Sequence, residues 1–517
     1  MKRLFFSLLT LILLLTWSSC RKDFDFEPSQ GALEFSRDTV YLDTVFTNIG
    51  SSTYNLRVYN RSDRDISIPT VRLARGNGSN YRLNVDGMAG KEFENVELLA
   101  NDSLFIFVET TIDINQQVGN PNEFLYTDAI EFDAGERLQK VELVTLVKDA
   151  TFIFPNRDAS TGIIETLIFD SDGDGEPDET NLEGRFLSDD ELNFTNEKPY
   201  VIYGYAAVSE GKTLRVNAGT RVHFHANSGL LITREASLQV DGSLSTDLDA
   251  LENEVIFEGD RLEPDFNEVP GQWGTIYLLN GSKDININYA TIKNATIGIL
   301  SEGNDSSENP KLRISNTQIY NSSNFGILGV GTSISAENLV INSAGQSAFA
   351  GTFGGNYSFT HSTLTNYWDN SFRQLPAVVV NNFFEDEEGA VFTNDLTEAN
   401  FNNCIIYGNS STEIAVSGED DALLNYKFSN CLIQYRPNNN ALELTDLTHF
   451  EGNVFNEDPE FKLPFENNMM IGDNSAAKGI GNSIFSSEVP FDILGTSRSS
   501  SFDAGAYQSV VFDEDED

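Results

Sequence analysis

Asp170-Ser171-Asp172-Gly173-Asp174-Gly175-Glu176-Pro177-Asp178 is the sharpest ligand-bearing motif in the chain. Carboxylates at alternate positions, Asp170, Asp172, Asp174, Glu176 and Asp178, can converge on one hard cation where Gly175 permits a sharp turn. Ca2+ suits such a set, because it takes about six to eight oxygens, some of them main-chain carbonyls. Its expected role is to stiffen the segment ahead of Tyr200. The plainer reading is a solvated Asp/Gly loop, although carboxylates crowded in this way repel one another.

Other titratable residues give weaker signals. His223 and His225 flank Phe224, so on a strand both imidazoles face one way while Val222 and Phe224 face the other. No third zinc ligand lies nearby, and the pair reads as surface stacking. His361, Tyr367, Trp368, Asp369 and Arg373 mix aromatic with charged side chains, the composition of a sugar-stacking surface; the plainer reading is packing in a turn. Neither His361 nor His449 stands in a recognisable nucleophile setting, so no catalytic residue is assigned.

The elements that must position these groups repeat along residues 200–510. Segments 289–300, 314–328, 401–416 and 428–444 each carry an aliphatic pair, an Asn- or Gly-containing corner and a second short apolar strand. From Ile292 to Ile319 is 27 residues, from Ile319 to Ile341 is 22, from Ile341 to Leu364 is 23, and from Ile406 to Ile433 is 27. A period of this size with β-type alternation marks a solenoid whose coils bury one face against the next. Ile292, Ile319, Ile341, Ile406 and Ile433 are therefore expected along one axis. Asn294, Asn321, Asn342, Asn366, Asn403 and Asn430 recur beside the apolar pair and suggest amide ladders at the corners. Cys404 and Cys431 occupy matching contexts and read as stacked small hydrophobes rather than a disulfide.

With these repeats the region resembles the right-handed parallel β-helix of the pectate-lyase-like superfamily. Its end is similar to the closing segment of secreted bacterial β-helix proteins, in Asp458-Pro459-Glu460-Phe461, Ser475-Ala476-Ala477-Lys478-Gly479, Asp492-Ile493-Leu494-Gly495 with Arg498, and Asp503-Ala504-Gly505-Ala506-Tyr507. Enzymes of that superfamily carry signature clusters that this chain lacks. Asp189-Asp190 precedes the coil and Asp420-Asp421 falls in a loop. The Asp-rich run resembles thrombospondin type 3 loops and the first six positions of an EF-hand, but Asn181 stands where the EF-hand's bidentate Glu belongs.

Lys2 and Arg3, an apolar stretch over residues 4–15 and Ser18-Ser19 before Cys20 form a secretion signal too short for a permanent span. Residues 1–20 resemble a bacterial lipoprotein signal, which implies lipidation at Cys20 and a membrane partner. The acidic tether 21–32, with Lys22-Asp23 just after the lipid site, resembles the surface-export signal of Bacteroidetes-type lipoproteins. Six or seven alternating strands over 33–150 indicate a β-sandwich, similar to immunoglobulin-like domains of the abnormal-spindle/hydin type. It is expected to hold the β-helix off the membrane and cap its first coil. Residues 151–199 form the junction and 511–517 an acidic tail.

The expected fold is all-β: an N-terminal Ig-like β-sandwich followed by a right-handed parallel β-helix. A net charge of −46, with 79 acidic against 33 basic residues, excludes nucleic acid as a natural partner. The expected function is that of an outer-membrane, surface-exposed lipoprotein, a non-catalytic scaffold binding glycan or another surface protein. The alternative is a lyase or glycoside hydrolase acting on an extracellular polysaccharide.

Overall fold

A computed structural model describes residues 25–116, 123–170, 176–303, 309–436 and 442–512. The chain divides into two compact units, Met1–Asp149 and Ala150–Asp517. It is all-β.

The first unit is a two-sheet β-sandwich. One sheet runs Glu34–Phe35, Tyr54–Tyr59, Ser103–Thr110, Tyr81–Val85, Met88–Gly90; the other is built around Ile66–Leu73, Glu123–Phe132, Gln139–Lys148 and Thr39–Phe46. Alternation decides which face is buried. In Ser103–Thr110, Leu104, Ile106 and Val108 point inward while Phe105 and Phe107 remain exposed. They meet Leu56, Ile68, Val71, Ile130 and Val141 in one core, each such side chain contributing about 1.5–3 kcal/mol on burial.

The second unit is a parallel β-helix. Among the described residues nineteen strands, from Thr151–Ile153 to Val454–Phe455, form one long wall, and ten more, opening with the antiparallel pair Thr166–Phe169 and Asp178–Phe186 and ending at Ile414–Ser417, form another. The expected axis is present. Ile292 pairs with Ile319, Ile319 with Ile341, Ile341 with Leu364, Leu364 with Ile406 and Ile406 with Ile433, all fully buried. Beside it Phe359, Phe401, Phe428 and Phe450 stack with centroids 5.2, 4.8 and 5.4 Å apart, close to the rung spacing.

The six asparagines split into separate arrangements rather than one ladder. Asn316, Asn338, Asn403 and Asn430 share a corner column with Tyr289 and His361, all at φ of 47–55°, a left-handed conformation that Asn tolerates well. Asn294 and Asn321 form a second left-handed corner, where Asn321 Nδ2 donates to Asn294 Oδ1 at 3.4 Å. Asn366 instead clips the preceding rung, accepting from Ala344 N at 3.0 Å and donating to Ala344 O at 2.8 Å. Cys404 and Cys431 are stacked, buried and unbonded thiols, the main-chain N of Cys404 donating to Cys431 Sγ at 3.3 Å.

Two boundaries differ from the expectation. The coil starts before residue 200: Thr151–Ile153 pairs with Tyr200–Ile202, Asn193–Phe194 with Thr213–Asn217, and Gly184 to Phe186 with Tyr205 to Ala207. These first strands are too short and too widely separated by polar residues to display a period. Val454–Phe455 is the last rung strand, and the residues beyond it do not extend the coil to 510. They turn back along the outer face of the long wall. That return explains the aliphatic pairs. Ile341, Ile406 and Ile433 fill the coil, while their neighbours Val340, Ile405 and Leu432 pack under Met469, Ile471, Ala477, Ala504 and Tyr507. Both faces of these strands are covered, so polar alternation is lost.

The closing motifs are the means of docking. Asp492 accepts from the main-chain N of Leu494, Thr496 and Gln508; Asp503 accepts from those of Gly479 and Ser509. Arg498, fully buried, donates to Asn338 Oδ1 at 2.9 Å and to the carbonyls of Gly505 and Ala506 at 3.2 Å. Gly505 has φ of 92°, a conformation that favours glycine, and a Cβ there would also lie 2.6 Å from Ile405 Cδ1 and 2.9 Å from Thr363 Oγ1 on the wall.

Candidate functional site

On the long wall, side chains alternate between the coil interior and the outer face. Around inward Ile292 stand outward Thr291 and Lys293; around inward Ile319 stand outward Gln318 and Tyr320, one rung along. The returning segment covers most of this face but leaves it open here. Two long connections, residues 242–254 and 260–275, rise beside the gap. The result is a cavity of about 570 Å3 between the wall, these connections and the returning segment.

Its floor is polar and tied together. Thr291 Oγ1 donates to Glu254 Oε2 at 3.0 Å. Burial pushes the Glu254 carboxyl up, against hydrogen bonds from Thr291 and Gln318 that favour its ionised form. The Tyr320 hydroxyl donates to Gln318 Oε1, and that of Tyr507 reaches the same oxygen at 3.3 Å. Burial raises both tyrosines well above the usual phenol range. Lys293 Nζ lies 2.9 Å from Glu258 Oε2. Burial works against ionising Glu258, but the charges of His223 and Lys293 hold its carboxyl below the ordinary value.

The rim is held by its own contacts. Arg221 donates to the carbonyls of Glu254 at 2.7 Å, Leu251 at 2.8 Å and Ala250 at 3.0 Å, fixing the first connection. Glu268, on the second, accepts from Asn321 Nδ2 at 2.5 Å and Asn467 Nδ2 at 3.1 Å. Leu248, Leu251, Met470, Ile493 and Leu494 supply the apolar part of the lining. The arrangement can hydrogen-bond a hydroxyl-rich ligand and pack against its apolar faces.

The residues singled out from sequence lie elsewhere. His361 is fully buried; its Nε2 lies 3.0 Å from Ser486 Oγ and 2.9 Å from Asn403 Nδ2, and burial depresses its pKa to about 2. Arg373 is also buried and forks onto Glu413, with bonds of 2.6 and 2.8 Å. Trp368 is buried and donates from Nε1 to Ser371 Oγ at 3.0 Å, while Tyr367 packs edge-on against Phe461 and Phe465. Asp369 is exposed. The structure does not gather these five onto one ligand-facing surface. Four are engaged in packing: His361 and Tyr367 against the returning segment, Trp368 and Arg373 against their own turn and the next rung.

His225 Nδ1 is 2.8 Å from Asp260 Oδ2 and its ring stacks on Tyr203, whereas buried His223 lies 3.5 Å from Glu258. Asp172, Asp174 and Gly175 lie outside the described residues, as does Cys20. Asp170 stands 3.7 Å from Arg234, and Asp178 begins the strand Asp178–Phe186, opposite Phe169. Among the described residues no group of three His, Cys, Asp or Glu is arranged to hold a metal, and no helix is long and apolar enough to cross a membrane.

Sequence reasoning missed Glu254, Glu268, Gln318, Tyr320 and Tyr507. A signal was present: polar Thr291 and Gln318 stand just before Ile292 and Ile319, where three of the later rungs have Val340, Ile405 and Leu432.

Comparison with known proteins finds no matching family model and no curated relative. Among solved structures, the chain is similar to the catalytic unit of a thermostable GH87 α-1,3-glucanase from Streptomyces thermodiastaticus, at 9% identity and TM-score 0.21, over 78% of this chain and 88% of that one. It is similar to a family 123 glycoside hydrolase from Clostridium perfringens at 11% identity and TM-score 0.16, over 22% of this chain and 26% of that one. A third likeness, to the periplasmic chaperone SfaE, has 11% identity and TM-score 0.14 over 23% of this chain and 57% of the chaperone. The chain thus spans about a quarter of that hydrolase and little over half of the chaperone, and likenesses this remote bear no weight for activity.

Proposed function

We propose that this chain is a surface lipoprotein whose β-helix binds a short saccharide, without catalysis, in the cavity between the long wall and the returning C-terminal segment. One observation supports the reading: a concave site of about 570 Å3 joins amides and hydroxyls, among them Gln318, Asn468, Tyr320 and Tyr507, to an aliphatic lining. That volume lies in the range of small-molecule sites, roughly 300–1,000 Å3. Amides and hydroxyls match sugar hydroxyls, and aliphatic side chains match the C–H faces of the rings. A protein partner would instead need an open face of about 800 Å2.

A glycan array followed by calorimetry tests this. Gln318→Ala and Asn468→Ala are expected to weaken the best ligand about tenfold, the loss of one or two hydrogen bonds, while the fold is retained. Failure of the wild-type protein to bind any neutral or charged glycan sinks the reading.

A hydrolytic reading has one observation in its favour. Glu254, a buried carboxyl held toward its protonated form, shares the cavity with Glu268, and glycoside hydrolysis uses an acid and a second carboxylate. Release of reducing ends from a bound polysaccharide would establish it.

Anchoring and metal binding rest on sequence alone. We propose lipidation at Cys20, display at the outer surface, a spacer role for the sandwich and Ca2+ at Asp170, Asp172, Asp174, Glu176 and Asp178. Cys20→Ala is expected to release the protein from membranes, and about 1 mM Ca2+ to raise its melting temperature in a manner reversed by chelation and abolished by Asp172→Asn with Asp174→Asn.

A further inference from the structure

The cavity's rim differs in charge from its floor. Asp249, Glu268 and Glu466 stand exposed around the opening, one from each of the two long connections and one from the returning segment. The floor carboxyl, Glu254, is turned inward to Thr291. Lys293 is the one cationic side chain in the lining among the described residues, and its ammonium is engaged by Glu258 at 2.9 Å. Arg221, which fixes the first connection, is held by main-chain carbonyls. The three carboxylates therefore meet no compensating charge within the cavity.

Their oxygens are also available. Glu268 receives two amide hydrogen bonds, from Asn321 and Asn467, both at Oε2, and Oε1 accepts none among the described residues. A cleft lined by one sign of charge focuses its field, concentrating ligands of opposite charge and repelling those of like charge. The whole chain, at −46, adds to the field in the same sense.

We infer that the cavity selects among saccharides by charge: amine-bearing sugars bind in preference to their N-acetylated counterparts, and uronate-containing chains are refused. This rests on the saccharide reading above. An ammonium on the sugar gains Glu268 Oε1 and the field of Asp249 and Glu466; acetylation removes that gain without removing the hydroxyls the floor receives. A uronate brings its carboxylate into a rim that offers it no cation.

The test is calorimetry of the full-length protein with three probes: a glucosamine tetramer, its N-acetylated form, and a tetragalacturonate. At low ionic strength the amine tetramer is expected to bind about tenfold more tightly than the acetylated one, with no detectable binding of the galacturonate. Both differences should shrink to within about twofold in roughly 0.5 M salt, where screening is short-ranged. The variant Asp249→Asn/Glu466→Gln, which changes two exposed rim positions and leaves the hydrogen bonds of Glu268 in place, should cut the preference at least about threefold while keeping its affinity for the acetylated tetramer. Galacturonate binding equal to that of the amine, or a preference undiminished in the variant, overturns charge selection and leaves saccharide binding standing. Silence of all three probes at both salt concentrations removes the saccharide reading itself.

Discussion

Asn467 Oδ1 accepts a hydrogen bond from Asn342 Nδ2 at 2.9 Å, joining the returning segment to a rung 125 residues earlier. The same amide donates through Nδ2 to Asn321 Oδ1 at 3.2 Å, so a residue from outside the coil bridges two of its rungs. Its backbone is left-handed, with φ of 61°. Asn467→Gly keeps that conformation at low cost and removes the bonds; Asn467→Ala removes the bonds and adds strain of about 1–2 kcal/mol. Urea unfolding should therefore show Asn467→Gly less stable than wild type by about 1 kcal/mol and Asn467→Ala weaker still. Equal losses would mean that the backbone is not under constraint here.

His361 supplies a pH prediction with a defined sign. It stands between Asn338 and Asn403 in the corner column, and burial depresses its pKa from 6.5 to about 2. The unfolded chain takes up a proton below pH 6.5 that the folded chain refuses, so stability present above that pH is lost as pH falls. The slope should reach about 1.4 kcal/mol per pH unit between roughly pH 6 and 4. His361→Asn suits the left-handed backbone and removes the titration. Its stability should be flatter over that window than that of wild type, measured as the difference between the two urea midpoints at each pH.

The axis of the coil was legible because Ile292, Ile319, Ile341, Ile406 and Ile433 recur at intervals that rung geometry requires. The cavity was not. Glu254 and Glu268 lie on connections whose length hides their register, and Tyr507 reaches Gln318 from 189 residues away. The outer members of the aliphatic pairs, Val340, Ile405 and Leu432, held the missing information: an outward aliphatic on successive rungs requires a cover, and only the segment beyond Val454–Phe455 remained to supply it. The polar change at Thr291 and Gln318 then marks where that cover lifts.

Arg373 resembles a ligand-binding residue in sequence and is a structural one by position. Its guanidinium and the Glu413 carboxylate are both buried, and Glu413 also accepts from the main-chain N of Ser410 and Ala377. Burial pushes Glu413 up while Arg373 pulls it down. Removing one partner strands the other charge, so Arg373→Met should cost about 3 kcal/mol or more. The double variant Arg373→Met/Glu413→Leu should recover part of that loss in the same denaturation assay. A saccharide-binding role predicts the reverse pattern, a loss of affinity with stability unchanged.

Glu254 separates binding from catalysis. Its carboxyl is raised above the reference value of 4.5 by burial, so over the pH interval between 4.5 and its folded value the folded state holds a proton that the unfolded chain has lost. The stability this provides is complete at low pH and disappears as pH climbs past 4.5 toward the folded value. Glu254→Gln is close in shape, can hydrogen-bond Thr291 and does not ionise. At neutral pH it should match or exceed wild type in stability, and the gap should close as pH approaches 4. If the cavity only binds, this variant keeps its ligand within about twofold. If Glu254 donates a proton to a leaving oxygen, the ligand stays bound and any release of reducing ends falls by about two orders of magnitude or more. A variant that binds normally, with a wild type that releases no sugar, leaves Glu254 as a hydrogen-bonding group and the protein as a receptor.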